Sequence, residues 1–569
     1  MPGVTMKIIG AASCRVFALL ATALLGDGCA NHPLKLAVPR PVTDAQIIER
    51  FHREIPELMT KYDIPGIAIA VIDRQSVLWA EGFGSTDRSG GIPVTPGTPF
   101  SVQSTSKTIT ATAILLAVQD GLLDLDAPIR RYFPEFSIRS RFDADPASQI
   151  TLRHLLSHTA GLTHEAPVGN NFAPESPSFD AHVASIMRTW LRFPVGDRYS
   201  YSNLGIDLAG YALERASGKP FATYVTERLL KPLGMNDSTF DPVLIQQRRD
   251  RAIGHKKSYA NVPVPIPMIP SGGLYTSVAD LAKFVRFHLN RGTGDSGRIL
   301  RERLLSEMYR IPSPVDGQEE GYALGVGLRR HDGRSYFTHG GGGFGFLSDM
   351  LWYPDPGIGI VVLTNSADHP LQGDLALRIL DAFLARRKSS SSPIRKESAA
   401  TVASAPVSRF LGTYAGRSGL IRVEERDSEV RFVSGKESFP LRPLSSTEAM
   451  LILPDHSVKY RFQFSAMGRP SKMMKVKDGE TWDYNDSPSD GPGPDLASWA
   501  SFVGEYQTSM WGQRADKVRG ERKNGYLYLD DLRLAEYQPG LFFTCSGEAV
   551  DFRKDPATFA NIALSRIGP

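Results

Sequence analysis

The sequence predicts two architectures in one chain, an α+β unit over residues 43–388 and an all-β region over residues 406–569. Three observations carry this. Apolar strand patterns stand near both ends of the first unit with helical periodicity between them, so the terminal strands must meet in one antiparallel sheet for either group to be buried. Residues 389–405 are Ser/Ala-rich, charged and poor in large apolar side chains, the composition of a linker. Beyond it, short alternating runs follow two copies of an F-x-G-x-Y pattern, Phe410-Leu-Gly-Thr-Tyr414 and Phe502-Val-Gly-Glu-Tyr506.

Taken in order, Gly66-Ile-Ala-Ile-Ala-Val-Ile-Asp73 and Ser76-Val-Leu-Trp-Ala-Glu-Gly-Phe83 read as a hairpin of buried strands. Helices are expected over 105–120, 205–216, 220–230 and 278–289, with a last one over 374–387. Each carries apolar residues three or four apart. Three further strands are expected at 335–338, 345–352 and 357–364, so the helical middle forms a lobe inserted between strand groups. In the last third, Leu420-Ile-Arg-Val423, Glu429-Val-Arg-Phe432, Tyr526-Leu-Tyr-Leu529 and Leu541-Phe-Phe-Thr544 predict one barrel or two small ones built from related halves.

At 569 residues the chain exceeds what one hydrophobic core holds, and 41% hydrophobic with 22% charged residues is a globular composition. A net charge of +4 is too dilute for a nucleic-acid-binding face. Three cysteines, Cys14, Cys29 and Cys545, are too few for a disulfide framework. Residues 1–29 read as an export signal: Lys7 and Arg15, an apolar run over 16–25 too short to span a bilayer, then Gly26-Asp-Gly-Cys29. Gly28-Cys29 also resembles the end of a bacterial lipoprotein signal, with Gly26 where a leucine is usual. Two readings follow, an outer-envelope or periplasmic lipoprotein anchored at Cys29, and plain cleavage to a free periplasmic or secreted protein.

Ser104-Thr-Ser-Lys107 opens an apolar helical run, and residues i and i+3 share a helix face. A serine hydroxyl is a weak nucleophile until a neighbour takes its proton, which a lysine that loses its charge can do. Alone, S-x-x-K is common by chance. Two further groups add weight. Tyr201-Ser-Asn203 offers a phenol and an amide two residues apart, pointing the same way in an extended segment. His339-Gly-Gly-Gly-Gly343 ends a strand with glycines that let a substrate approach the backbone.

Together these resemble the serine β-lactamase and penicillin-binding-protein superfamily, in its class C β-lactamase, D-aminopeptidase and esterase branch. The resemblance covers roughly residues 43–388. It rests on S-x-x-K at Ser104–Lys107, Y-x-N at Tyr201–Asn203, and the phrases Gly121-Leu-Leu-Asp-Leu-Asp-Ala-Pro, His154-Leu-Leu-Ser-His-Thr-Ala-Gly-Leu162 and Pro270-Ser-Gly-Gly-Leu. It implies an antiparallel sheet with flanking helices and an inserted helical lobe. It also implies that Ser104 forms an acyl-enzyme, with Lys107 and Tyr201 sharing the base role and Asn203 orienting Lys107 and the substrate. The oxyanion would sit between the backbone N–H groups of Ser104 and Gly342, each such donor worth about 3 kcal/mol in the barrier. His339 and Gly341 would meet substrate, His339 also tuning the Tyr201–Lys107 pair.

One departure matters. The family's Lys-Thr-Gly motif is replaced by His339-Gly340-Gly341, and a histidine is largely neutral near pH 7 where the lysine offers a fixed charge to substrate carboxylates. Members with histidine there are often esterases or aminopeptidases. The expected partners are therefore small peptides containing D-residues, short esters or β-lactam-like molecules, with cell-wall peptides among the candidates. β-Lactamase or D-Ala-D-Ala carboxypeptidase activity is the alternative, and a catalytically silent cell-wall sensor a third. No cofactor is implied. A metal site at His154, His158, His164 and Glu165 lacks the H-E-x-x-H arrangement. The C-terminal region resembles the lipocalin-like domains that some D-aminopeptidase relatives append, where a barrel would cover the site or aid assembly.

Overall fold

The computed structural model describes residues 43–569, apart from 171–176, 258–267, 313–318, 389–406 and, farther on, 417–418, 427–428, 435–436, 454–456, 466–469, 477–480, 486–495, 511–512, 524 and 568–569. The leader with Cys14 and Cys29 and the linker at 389–405 lie outside the described residues.

A helix not expected from the sequence comes first, α1 (Asp44–Tyr62). Thr43 starts it through a capping box, its hydroxyl accepting from Gln46 N at 3.3 Å while Gln46 Oε1 accepts from Thr43 N at 2.9 Å. The hairpin follows as β1 (Gly66–Asp73) and β2 (Val77–Gly84). The helical lobe includes α2 (Ser106–Gln119) and α3 (Asn203–Ser217), and α4 (Val278–Leu289) covers one face of the sheet. The segment expected as one helix at 220–230 is α-helical over Phe221–Val225 and widens to a π turn over Thr226–Leu230. Five more strands close the sheet: β3 (Gly321–Tyr322), β4 (Gly327–His331), β5 (Arg334–Gly343), β6 (Phe346–Tyr353) and β7 (Ile358–Thr364). The unit ends in α5 (Asp374–Lys388).

The seven strands run antiparallel in the order β2-β1-β7-β6-β5-β4-β3, so the first hairpin pairs with the last strand, Ile67 facing Thr364 and Asp73 facing Ile358. Helices cover both faces of this sheet, which is why β1 and β7 are continuous apolar runs rather than alternating ones. Ile67, Ile69 and Val71 point with Ile358, Ile360 and Val362 toward Phe51 and Ile55 of α1 and Phe383 of α5. Ala68, Ala70, Val361 and Leu363 point the other way, into the larger core shared with Phe284 and the helical lobe.

The glycine run does not end the strand at Thr338. β5 continues through Gly343, with Gly340 opposite Asp349, Gly341 opposite Ser348 and Gly342 opposite Leu347 on β6. The C-terminal region resolves into two closed eight-stranded antiparallel barrels, one from Gly412–Gly416 to Thr481–Tyr484 and one from Gly504–Met510 to Ile562–Ile567. Each F-x-G-x-Y copy leads into the first strand of a barrel, and its tyrosine donates back to the phenylalanine carbonyl four residues earlier. Tyr414 Oη lies 2.7 Å from Phe410 O, and Tyr506 Oη lies 2.8 Å from Phe502 O.

Candidate active site

Ser104 stands on a short 3₁₀ turn, Gln103–Thr105, that leads into α2. Gln103 has φ 49°, a left-handed conformation rare for a residue with a side chain, and its amide donates to Ser101 Oγ at 2.7 Å. The bend leaves Ser104 half-buried while Lys107, one turn on, is fully buried. Lys107 Nζ lies 3.0 Å from Ser104 Oγ, 2.8 Å from Asn203 Oδ1 and 2.8 Å from the carbonyl oxygen of Ser271.

Three oxygens around one nitrogen fit two protonation states. As an ammonium, Nζ donates to all three. As a free amine it donates to Asn203 and Ser271, which leaves its lone pair facing the Ser104 hydroxyl. The same geometry thus serves before and after a proton passes from Oγ to Nζ.

The ring of Tyr201 lies with its centroid 4.8 Å from Lys107 Nζ. Ser202 caps α3 and fixes the segment between Tyr201 and Asn203, its hydroxyl donating to Thr163 O at 2.6 Å. His158, weighed above as a metal ligand, instead takes the Ser202 N–H on Nδ1 at 3.1 Å, and its ring packs 4.3 Å from that of Tyr201. His154 Nδ1 sits 3.1 Å from Thr151 Oγ1 in the cap of the short helix Leu152–Leu156. Glu165, buried, lies with Oε1 2.6 Å from His164 Nδ1 and 3.4 Å from Asn203 Nδ2.

On the opposite wall, β5 brings the glycines against the serine turn. Thr105 Oγ1 donates to His339 O at 3.1 Å, and Ser348 Oγ donates to Val102 O at 2.8 Å. A Cβ on Gly341 would run into the Val102 carbonyl oxygen and lie 2.5 Å from Ser348 Oγ and 3.0 Å from Ser104 N. The side-chain space of Gly341 is therefore filled by the turn, and what this residue provides is close approach. β4 pairs with β5 only as far as Thr338, so the exposed Gly342 lies on an edge that β4 leaves uncovered. Gln372, missed in the sequence, donates to the carbonyl of Gly341 at 2.9 Å, the peptide whose other end is the Gly342 N–H.

His339 is held by two partners. Its Nδ1 lies 2.8 Å from Gly340 O, which can only accept, so that nitrogen carries the hydrogen and Nε2 accepts from Tyr322 Oη at 2.8 Å. Burial first, and the Lys107 charge second, push its pKa down to about 3, so it is neutral at ordinary pH. Tyr322, on a two-residue strand, carries no sequence signal of its own.

A family model described as Beta-lactamase matches residues 51–383, more than half of the chain. Among curated proteins, "Protein flp" of Staphylococcus aureus (strain COL) is 25% identical over 312 residues, 54% of this chain and 61% of that protein's length. "D-alanyl-D-alanine-carboxypeptidase/endopeptidase AmpH" of Escherichia coli (strain K12) is 27% identical over 364 residues, 61% of this chain and 91% of its own. Among solved structures, a D-amino acid amidase from Ochrobactrum anthropi SV3 superposes with a TM-score of 0.50 at 23% identity, over 61% of this chain and 99% of that one, a likeness of fold. With its strand order, its serine turn and this match over the α+β unit, the chain belongs to the Beta-lactamase family, within the superfamily of serine β-lactamases and penicillin-binding proteins.

Proposed function

We propose that this protein is a serine hydrolase that cleaves ester or amide bonds through an acyl-enzyme on Ser104. The observation that carries the reading is Lys107 Nζ, fully buried, 3.0 Å from Ser104 Oγ and fixed by two other oxygens. Lys107 takes the Ser104 proton as Oγ attacks the substrate carbonyl. The oxyanion collects between the N–H groups of Ser104 and Gly342, which the tight packing of Gly341 draws together. The proton then passes to the leaving group from Lys107, with Tyr201 against it sharing the transfer, and a water releases the acyl group by the same steps in reverse.

Charge around the site sets the substrate class. A neutral His339 gives no fixed cation for a substrate carboxylate, and Glu165 beside Asn203 adds a carboxylate to the opposite wall. Short esters and amides or peptides of D-amino acids with a free amino group fit this balance better than β-lactams. The AmpH relative supports the second reading, peptidase action on D-alanyl peptides. The signal-like composition of residues 1–29 supports the reading that the enzyme is exported to the envelope, anchored at Cys29 or released.

A panel of p-nitrophenyl esters, D-amino-acid amides, a D-Ala-D-Ala peptide and nitrocefin tests the reading. Esters and D-amino-acid amides are expected to turn over fastest, and Ser104→Ala to abolish turnover of all four. Full activity in Ser104→Ala would overturn it.

A further inference from the structure

A buried His–Asp pair is linked to Lys107 through Ser271. The side chains of His182 and Asp207 have no exposed surface, and His182 Nε2 lies 3.1 Å from Asp207 Oδ2. His182 Nδ1 lies 2.8 Å from the Val168 carbonyl oxygen, which can only accept, so Nδ1 carries a hydrogen. The Asp207 carboxylate also accepts the Ser271 N–H on Oδ1 at 2.9 Å and the Ser271 hydroxyl on Oδ2 at 3.1 Å. Donors reach both carboxylate oxygens, and Nε2 faces Oδ2 as one more partner. Burial alone would push the His182 pKa down. The hydrogen bond and the charge of Asp207 outweigh it and hold the pKa above the ordinary value.

A buried ion pair adds little net stability, because desolvating both charges offsets their attraction. What this pair does is hold Ser271, and the Ser271 carbonyl is one of the three oxygens on Lys107 Nζ. We propose that Asp207, paired with His182, is a positioning residue for the general base: it grips Ser271 by its N–H and hydroxyl and so fixes the carbonyl that aims Lys107 Nζ at Ser104. With Asn203 Oδ1 and Ser271 O held in place, Nζ keeps Ser104 Oγ as its third oxygen at 3.0 Å. The carbonyl belongs to the 271–272 peptide, whose other end, the Gly272 N–H, is tied to Met268 O at 3.0 Å. Released from Asp207, Ser271 loses its side-chain and N–H anchors, so this peptide can tilt about that one tie and Nζ loses that aim. This rests on Lys107 being the base for Ser104.

The full chain carries the test, with Asp207→Ala and the conservative Asp207→Asn, which keeps an acceptor for the Ser271 N–H. The readouts are the rate of Ser104 labelling by a fluorescent phosphonate, kcat and KM on p-nitrophenyl acetate, and the thermal midpoint. Asp207→Ala is expected to slow labelling and kcat by about 10- to 100-fold with KM within about twofold, and Asp207→Asn to recover part of the loss. If Asp207→Ala does not fold, Asp207→Asn alone decides, with a loss of at least about threefold in kcat expected. A folded Asp207 variant with wild-type labelling rate and kcat, altered only in its midpoint, overturns the inference while the nucleophile reading stands. A wild-type chain that takes no label on Ser104 overturns both.

Discussion

Lys107 is the residue on which the site turns, and its place is partly readable from sequence. Spacing puts it on the Ser104 face of α2 and the Y-x-N motif brings Asn203 to it across 96 residues, whereas its third partner, the Ser271 carbonyl 164 residues away, follows no pattern that names it. Lys107→Met keeps the volume and removes the proposed base. It is expected to lower kcat by about 10²–10⁴-fold with little change in KM, measured on the best ester of the panel. His339 is the residue where sequence identity and structural environment combine: its being largely neutral near pH 7 was legible, but the burial that drives its pKa to about 3 and the Gly340 and Tyr322 bonds that fix its tautomer come only from the fold. His339→Lys restores a cation at that wall and is expected to raise nitrocefin turnover relative to p-nitrophenyl acetate. An unchanged ratio would show that carboxylate selection lies elsewhere.

Asp349, buried behind Gly340 and bonded to Gly373 N at 2.7 Å, gives a pH signature. Burial raises its pKa from 3.8 to about 7, so the folded state holds a proton that the unfolded chain releases across that range. Its contribution to stability is complete below about pH 4 and is lost as pH rises toward about 7. Asp349→Asn keeps the acceptor and cannot ionise. Denaturant unfolding is expected to show the variant gaining on wild type between pH 4 and pH 8, by an amount on the order of a few kcal/mol. A difference independent of pH would contradict the burial of this carboxyl.

Among the elements, β5 shows what a sequence pattern hides. The four glycines after His339 read as the end of a strand, since glycine weakens a strand. The full register with β6 holds them extended, and the serine turn uses the missing side chains as packing space. Gly341→Ala is therefore expected to push the Val102–Ser104 backbone away and lower kcat by about 10²-fold, more than its effect on thermal midpoint would suggest. A variant with wild-type kcat would mean that the turn tolerates a methyl group. Helix α1 was missed for a different reason. Its capping box at Thr43 and Gln46 and its apolar positions Ile47, Phe51 and Ile55 are all present in the sequence, but they lie among many charged residues and the helix is secured by packing on the sheet. The helices at 278–289 and 203–217 were legible because their apolar stripes are wide and bounded by caps.

Across the whole molecule, the second barrel is joined to the catalytic unit near Tyr201. Arg192 is the junction: it pairs with Glu548 at 2.9 Å, donates to the Ser546 carbonyl from two nitrogens, and donates to Ser200 Oγ at 2.7 Å. Ser200 N in turn bonds His158 O at 2.7 Å, one residue before Tyr201. Asn561 on the same barrel donates to the Glu165 carbonyl at 2.9 Å. An all-β region of two related halves was legible from the F-x-G-x-Y repeat, but not whether the halves form one barrel or two, nor the docking of the second barrel, because contacts across more than 350 residues leave no periodic trace. Arg192→Ala leaves the partly buried Glu548 with only the Thr163 hydroxyl among the described residues and removes the Ser546 and Ser200 bonds, and is expected to cost about 3–5 kcal/mol, read by denaturant unfolding of the full chain. Equal stability would mean that the barrel docks by other contacts.

The most direct measurement is to incubate the full chain with a fluorescent phosphonate, digest it and map the labelled peptide by mass spectrometry. A single label on Ser104, absent in Ser104→Ala and strongly slowed in Lys107→Met, is the predicted result. A label on another residue, or one that forms at the wild-type rate without Lys107, would contradict a serine nucleophile activated by a buried lysine.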